Sequence, residues 1–574
     1  ADVNASAAIA GSKISPTFTT DGSFNSISIG KGANSVAGNT VLGQNALDAS
    51  VSGGDNTAVG HSALTANTSG TNNVAVGVSA LQDVTTGNNN TAVGTQALKQ
   101  NTSGNNAALG YLSLRLNTSG TQNVAAGAES LDANTSGSYN AAFGMQTLTT
   151  NTTGEKNTAL GSFALRDNTT ASNNTAIGSS ALLVNTTGTQ NVAIGSNALD
   201  ANTTASNNVA VGLSALTTNT TGDRNVAVGT SALTTNTTGS LSVAVGHLAL
   251  TNSTGGLATA VGAFAADAHT TAAYTTAIGY AALGSLTTGT ANTAVGHQAG
   301  NAVVDSSHTT AVGYNALVLS TGAYNTAIGS RSLDANTTGT SNTAVGLDSL
   351  GGNTSGNSNT ALGSNALKAN TTTSNNTAVG KDALGSATGA NSTAIGVNAL
   401  QNCTANTLVA VGHYALNANT SGTENVAVGA NALDVNTTGN RLTAVGNGSL
   451  GQNTTANDNT AFGYLALGAA TTGHSNTAVG RGALDANTTA SNNTAVGGAA
   501  LTENTTGSEN CAFGEDALKA NTTGYQNNVV GQAALQTNTT GYNNNVMGRA
   551  AMAENTTGSN NTAIGHGALN KNTT

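Results

Sequence analysis

The feature that most constrains this chain is a tandem repeat of the form G-x-x-A-L-x-x-N-T-T-G-x-x-N-T-A-V. Thirty-two leading glycines recur from Gly43 to Gly565, at a spacing of 17 residues that shortens to 16 in five intervals. Each short interval loses its residue between the A-L pair and the A-V pair, so the strand-like pairs keep their length. A repeat this short cannot bury a core alone, and it therefore predicts copies stacked on one another.

The residue types of the repeat indicate strands and turns. Thr, Asn and Gly are poor helix formers, whereas T-A-V-G and A-L are typical of two brief strands separated by an N-T-T-G turn. We therefore predict an all-β fold, a parallel β-solenoid of about 32 coils with a 17-residue repeat. The array is expected over residues 25–574, after a connector or cap segment over residues 1–24. Positions within a coil are counted below from the leading glycine, which is position 1.

The composition argues against catalysis. Charged residues make up 7% of the chain, against about 25% in an ordinary soluble domain. The sequence contains no phosphate-binding loop, H-E-x-x-H motif or EF-hand loop, and its eight histidines are scattered along the array. We therefore predict a non-enzymatic protein with no catalytic residues, no cofactor and no metal site. An acidic balance with few lysines disfavours nucleic acid, and the absence of an apolar run of 18 residues disfavours membrane insertion.

Alternation along the T-A-V strand separates two faces. The larger side chains beside the alanines, together with the leucines of the A-L pairs, are predicted to fill the coil interior. These core predictions are Val59, Leu64, Val93, Leu98, Ile177 and Val345. One Leu and one Val form a small core for 17 ordered residues, so we expect the alanine face to be buried against another chain. This predicted inter-chain face comprises Ala58, Ala75, Ala92, Ala176, Ala344 and Ala495, and its simplest partner is a parallel copy of the same chain.

Two positions of the repeat, the eighth and the fourteenth, are usually asparagine. In a stack of coils each such residue lies above its own copy, where amide side chains can hydrogen-bond along the axis. The predicted amide ladder includes Asn67, Asn73, Asn101, Asn151 and Asn157. A role in turn geometry alone explains the same residues and stays open at this point.

Two segments near the start of the chain resemble known fibrous proteins. The stretch DVNASAAIAGSKI, residues 2–14, resembles a connector that precedes N-T-A-V-G repeats in the tail fibres of cyanobacterial and other marine phages. The stretch NSISIG, residues 25–30, is similar to coils of trimeric autotransporter adhesin heads. The resemblance implies a homotrimeric rod, an adhesive shaft at a virion surface or outside the cell, and a host-cell receptor or glycan as partner.

Two other functions fit a regular solenoid. The chain stops within a coil at Asn572-Thr573-Thr574, which leads us to expect, as the main alternative, a subunit of an extracellular bacterial filament that stacks end to end. Regular rows of threonine are also compatible with ice binding.

Overall fold

The computed structural model describes residues 22–24, 26–49 and 51–574. The described part is a parallel β-solenoid, as predicted, and it contains about 31 turns of the 17-residue repeat. Contacts divide it into two units, Ala1–Ala273 and Tyr274–Thr574. Within the described residues, one 3-10 turn, Ala33–Ser35, is the sole helical element.

The first unit contains strands β1 to β16. They are β1 Gly22–Phe24, β2 Ile27–Gly30, β3 Thr40–Gly43, β4 Thr57–Val59, β5 Val74–Val76, β6 Thr91–Val93, β7 Ala107–Leu109, β8 Val124–Ala126, β9 Ala141–Phe143, β10 Thr158–Leu160, β11 Thr175–Ile177, β12 Val192–Ile194, β13 Val209–Val211, β14 Val226–Val228, β15 Val243–Val245 and β16 Ala258–Val261.

The second unit contains strands β17 to β34. They are β17 Thr275–Ile278, β18 Thr293–Val295, β19 Thr310–Val312, β20 Thr326–Ile328, β21 Thr343–Val345, β22 Thr360–Leu362, β23 Thr377–Val379, β24 Thr393–Ile395, β25 Val409–Val411, β26 Val426–Val428, β27 Thr443–Val445, β28 Thr460–Phe462, β29 Thr477–Val479, β30 Thr494–Val496, β31 Cys511–Phe513, β32 Asn528–Val530, β33 Asn545–Met547 and β34 Thr562–Ile564.

In each unit, from β3 in the first and β17 in the second, strands pair in parallel with equivalent residues opposite one another. Ala58 lies opposite Ala75 in the first unit, and Ala344 lies opposite Ala361 in the second. The start of the first unit differs, because β2 pairs antiparallel with both β1 and β3. The parallel array therefore begins at β3, later than the predicted boundary at residue 25. Apart from β1, the predicted connector over residues 1–24 lies outside the described residues.

Backbone hydrogen bonds link neighbouring coils both within the strand and outside it. In the strand, the backbone N–H of Thr57 donates to the Asn73 oxygen at 2.8 Å, and outside the strand that of Leu64 donates to the Ala80 oxygen at 3.0 Å. The glycines at position 1 permit this close stacking: Gly60 has a φ of +130°, and a Cβ there would lie 2.6 Å from the Gly77 oxygen. A side chain at position 1 would clash with the next coil, which explains why glycine occupies this position in every coil.

The structure reverses the predicted faces of the strand. The alanines at position 16, which include all six residues assigned to the inter-chain face (Ala58, Ala75, Ala92, Ala176, Ala344 and Ala495), are fully buried inside the coil. The side chains on either side of them point outward, and the predicted core residues Val59, Val93, Ile177 and Val345 are only half-buried. Of the predicted core, Leu64 and Leu98 are fully buried.

The physical reason is the narrowness of the coil. Ser130, at position 4 of its coil, donates a hydrogen bond from its hydroxyl to the Ala142 oxygen at 3.3 Å, across to the strand of the same coil. The opposing backbone segments of one coil are therefore close together, and one leucine and two amide side chains already lie between them. The interior leaves space only for a methyl group on the inward side of the strand. The alternation of residues along the strand showed that it has two faces. Which face is interior depends on which side chains are small enough to pack inside the narrow coil.

Candidate binding surfaces

Asparagine ladders occupy the interior beside the leucines. At position 8 the Nδ2 of Asn151 donates to Asn134 Oδ1 at 2.9 Å and to the Gly154 oxygen at 3.1 Å. Both asparagines are fully buried, so each bond satisfies a polar group that water cannot reach. Position 8 therefore serves the ladder and the turn at once, and the two explanations that the sequence left open both hold.

The second amide column lies at position 14. Asn73 donates from Nδ2 to Asn56 Oδ1 at 3.1 Å, and Asn157 does the same to Asn140 at 3.2 Å. The Asn73 Nδ2 also reaches the Gly87 oxygen in the next coil, at 2.9 Å. These bonds confirm the predicted ladder at this position.

Two predicted ladder residues lie at interruptions. Asn101 accepts from Asn117 Nδ2 at 2.7 Å on one side, but the equivalent residue on the other side is Val84. Asn67 faces the same valine and bonds within its own turn, to the Gly70 N–H and oxygen, each at 3.1 Å. The ladder prediction is therefore confirmed for Asn101 on one side, whereas Asn67 is observed in the turn role.

The outward side chains at positions 15 and 17 form the surface that we call the strand face. In both units these positions carry Thr, Val, Ile, Leu, Phe and similar residues, one pair per coil. Leu109 is 57% exposed and Phe143 is 41% exposed in the first unit, and Leu362 is 48% exposed in the second. Position 17 is apolar in every coil, whereas position 15 is most often threonine. A repeated apolar row of this kind is unusual on a protein surface that meets only water.

One cavity of about 290 Å³ opens on the strand face of the first unit. It lies where Ala126 occupies position 17, between the larger side chains Leu109 and Phe143. Its lining is almost wholly apolar and includes Val93 and Val124. The small side chain of Ala126 thus leaves a depression in a row of larger side chains.

Positions 3 and 6 form a second surface, which we call the lateral face. Of the seven ion pairs among the described residues, six use a side chain at one of these positions, for example Arg115 with Asp132 at 2.8 Å. The exception is Arg441 with Asp458 at position 13. Most ion pairs among the described residues thus lie on this one surface.

Six aspartates at position 6 share one electrostatic feature. Burial is the largest cause of a raised carboxyl pKa at each of them, because desolvation disfavours the ionised form. They are Asp132, Asp200, Asp267, Asp334, Asp434 and Asp485. The lateral face therefore holds carboxylates partly withdrawn from water.

The histidines form no site of their own. No group of three or more His, Cys, Asp or Glu side chains suited to a metal ion occurs in the described ranges. His297 stacks instead between Tyr280 and Tyr314 in the second unit, with ring centres 5.2 and 5.4 Å apart. Both cysteines, Cys403 and Cys511, are free thiols whose pKa burial raises.

The part of the chain that the structure describes has no helix with the length and hydropathy of a membrane span. Comparison of the sequence with family models and with curated proteins finds no match.

Sequence reasoning missed the lateral face. Its signal was present, because positions 3 and 6 change residue type from coil to coil while positions 1 and 16 scarcely vary. That variation was not read as a surface, since the repeat motif writes both positions as x. The strand face was found, but with the two sides exchanged.

Proposed function

We infer that this protein is a non-enzymatic structural fibre protein, a shaft of the kind found in phage tail fibres or surface adhesins, in which parallel copies of the chain associate through the strand face. The β-solenoid fold is compatible with such a role, and the apolar strand face is the observation that carries it. Full burial of a Val, Ile or Leu side chain contributes ~1.5–3 kcal/mol, at roughly 25 cal/mol per Å² of apolar surface. A half-exposed side chain of this kind therefore leaves on the order of 40 Å² of apolar surface in contact with water.

The size of this face is sufficient for a stable interface. Eighteen strands of the second unit each present two outward side chains, many of them apolar. At about 40 Å² each, the eighteen apolar side chains at position 17 alone offer roughly 700 Å², which is close to the about 800 Å² per partner typical of a specific protein interface. Because the face repeats in register, two copies aligned in parallel meet equivalent surfaces at every coil.

The interface we propose differs from the one expected from sequence. The alanines that suggested an oligomer are interior to each chain, so they no longer argue for a partner. The half-exposed residues that flank the alanines argue for a partner chain instead. A homotrimer is the arrangement that the resemblance to adhesin heads implies. Such a rod would act by reach and by display of several copies, outside the cell or on a virion.

Sedimentation velocity and negative-stain microscopy test this proposal. We expect a finite rod of trimeric mass, and expect the double change Leu362→Glu and Phe513→Glu to dissociate it, because each places a charge in the apolar face. The matched control, Thr372→Glu with Thr523→Glu, adds the same charges at exposed threonines of two N-T-T turns. A monomeric wild type would refute the proposal, and indefinitely long threads would favour the filament.

A further inference from the structure

A cavity of about 370 Å³ on the lateral face of the second unit is unlike the rest of the coil surface. Gly351 occupies position 6, where the repeat often carries a side chain such as Asp334, and Gly352 follows at position 7, where a Cβ would lie 2.5 Å from the Lys368 backbone oxygen. The cavity volume falls within the roughly 300–1,000 Å³ typical of small-molecule sites. The missing side chain at Gly351 thus leaves space for a small molecule beside charged residues of its own and neighbouring coils.

The rim of this cavity is a fixed set of charges from three coils. The Asp348 carboxylate, only 14% exposed, forms an ion pair with Arg331 at 2.8 Å. Its Oδ2 accepts hydrogen bonds from Arg331 Nη2 at 3.1 Å and from Lys368 Nζ at 3.2 Å. Arg331 and Lys368 are about half exposed, and each has more N–H donors than Asp348 uses. The ion pairs orient these donors without exhausting them.

Asp334 supplies an acceptor on the same cavity. Its pKa is raised mainly by burial, with a smaller contribution from the Asp348 charge. A hydrogen-bond donor on a ligand would stabilise this partly desolvated carboxylate. The cavity therefore presents donors and acceptors together, with two cationic and two anionic side chains and no net formal charge.

This balance selects among ligand chemistries. A small anion meets two carboxylates, and a small cation meets a guanidinium and an ammonium. A neutral polyhydroxyl ring both donates and accepts at each hydroxyl, so it can satisfy Asp334 and the spare N–H groups at once. We propose that the Gly351–Gly352 cavity binds a neutral saccharide unit.

A second cavity repeats the design elsewhere on the lateral face of the same unit. Its volume is about 200 Å³, and Gly482 at position 3 provides the gap. Arg481 and Asp485 supply a donor and an acceptor, and Tyr464, 54% exposed, supplies an aromatic ring on which the C–H face of a sugar can stack. A glycine gap flanked by arginine and aspartate thus occurs twice, and the same ligand class is assigned to both.

Neither cavity includes a residue of the strand face. Saccharide binding is therefore independent of the proposed oligomer, and it adds a recognition site to what was proposed as a shaft.

Ligand-observed NMR titration of the full chain tests the assignment. The probes are the methyl glycosides of glucose, galactose, mannose and N-acetylglucosamine, with N-acetylneuraminic acid and glucosamine as charged comparisons. We expect saturable binding of at least one neutral glycoside, stronger than that of either charged sugar. Absence of saturable binding by every neutral glycoside, or preference for a charged sugar, overturns the proposal.

Filling the gaps locates the binding. Gly351→Gln places a side chain natural to position 6, as at Gln401, into the first cavity and is expected to remove roughly half of the binding signal. Adding Gly482→Gln is expected to remove the rest, while Gly451→Gln, at position 6 of another coil, leaves it unchanged. Asp334→Asn keeps the shape and should weaken binding at the first cavity about tenfold. Binding that persists in the double variant overturns the assignment.

Discussion

Two segments of the second unit share the parallel strand register but differ in their interiors and in coil length, which is 17 residues in one and 16 in the other. In the amide-rich segment, residues 480–564, positions 8 and 14 are asparagine in every coil. In the amide-poor segment, residues 380–411, position 8 holds Ala387 and Cys403. The counterparts of position 14 are Ser392 and Leu408, which stand at position 13 because both coils are one residue short. Yet β24 and β25 of the amide-poor segment pair in the same parallel register as the other strands. The register therefore does not depend on the amides.

What the amides supply is local stability. In the amide-rich segment the Asn521 side chain makes three hydrogen bonds. In the amide-poor segment the equivalent Ala387 has no polar side chain, and in the other column Leu408 only donates its backbone N–H to Ser392 Oγ at 3.3 Å. The glycine and alanine positions define the stack, and the asparagine columns strengthen it coil by coil. Because coils of a solenoid interact only with their neighbours, their stabilities can differ along one chain.

The largest effect is expected from breaking a ladder in the amide-rich segment. Asn521→Ala removes donor bonds to Asn504 Oδ1 at 2.7 Å and to the Gly524 oxygen at 2.9 Å, and an acceptor bond from Asn538 Nδ2 at 2.9 Å. Asn504 Oδ1 is left without its donor, and an unsatisfied buried acceptor costs ~1–3 kcal/mol. The Gly524 oxygen keeps its bond from Asn510 Nδ2, and Asn538 Nδ2 keeps its bond to the Gly541 oxygen, so local opening should become easier by about 2 kcal/mol. Hydrogen exchange of peptides around this coil measures it.

Thr523→Ala, on the exposed turn of the same coil, is the control for this change. We expect exchange there to change little. Equal acceleration by the two variants would show that the ladder adds nothing beyond the turn, and the difference between the segments would then need another cause.

How far the sequence predicts this fold depends on the kind of information each residue carries. Periodicity fixed the coil, the parallel pairing and the amide columns, because a repeat must place equivalent residues over one another. It did not fix which side of Thr57-Ala58-Val59 faces inward, since that depends on the distance between walls. Nor did it reveal the glycine cavities, because the gap at Gly351 matters only beside Arg331 and Asp348, side chains of the same and a neighbouring coil.

A smaller effect of opposite sign is expected from repairing the amide-poor segment. Cys403 sits in a 16-residue coil, where Asn419 Nδ2 contacts its Sγ at 3.3 Å. Asn101 shows that a short coil accommodates an amide there, since its Nδ2 reaches the Ser103 oxygen at 2.7 Å. Cys403→Asn should therefore stabilise this segment by about 1 kcal/mol, a typical net hydrogen-bond contribution, with slower exchange as the readout.

The other cysteine provides the control. Cys511 lies at position 15 on the outer side of β31, and Cys511→Thr restores the usual residue there. It should leave exchange in the amide-poor segment unchanged. If Cys403→Asn accelerates exchange instead, the shortened turn and not the missing amide limits stability in that segment.

The smallest effect concerns pH and separates the interior from the lateral face. Burial raises the pKa of Asp485, so its favourable contribution is complete below the unfolded-state pKa and is lost as pH rises through the folded-state value. Asp485→Asn should therefore stabilise the amide-rich segment at pH 7 relative to pH 3, by less than about 1 kcal/mol after solvent screening. In the amide-poor segment position 6 holds Gly385 and Gln401, which do not titrate.

Asp458 gives the opposite sign and completes the test. Its hydrogen bond from Arg441 is the largest cause that lowers its pKa, so its contribution is present above the unfolded-state pKa and is lost as pH falls through the folded-state value. Asp458→Asn should therefore destabilise its coil at pH 7 relative to pH 3. Exchange measured at both pH values, and corrected for the intrinsic rates, should move in opposite directions for the two variants. Movement in the same direction would mean that net charge along the stack, and not the surroundings of each carboxylate, governs the pH response.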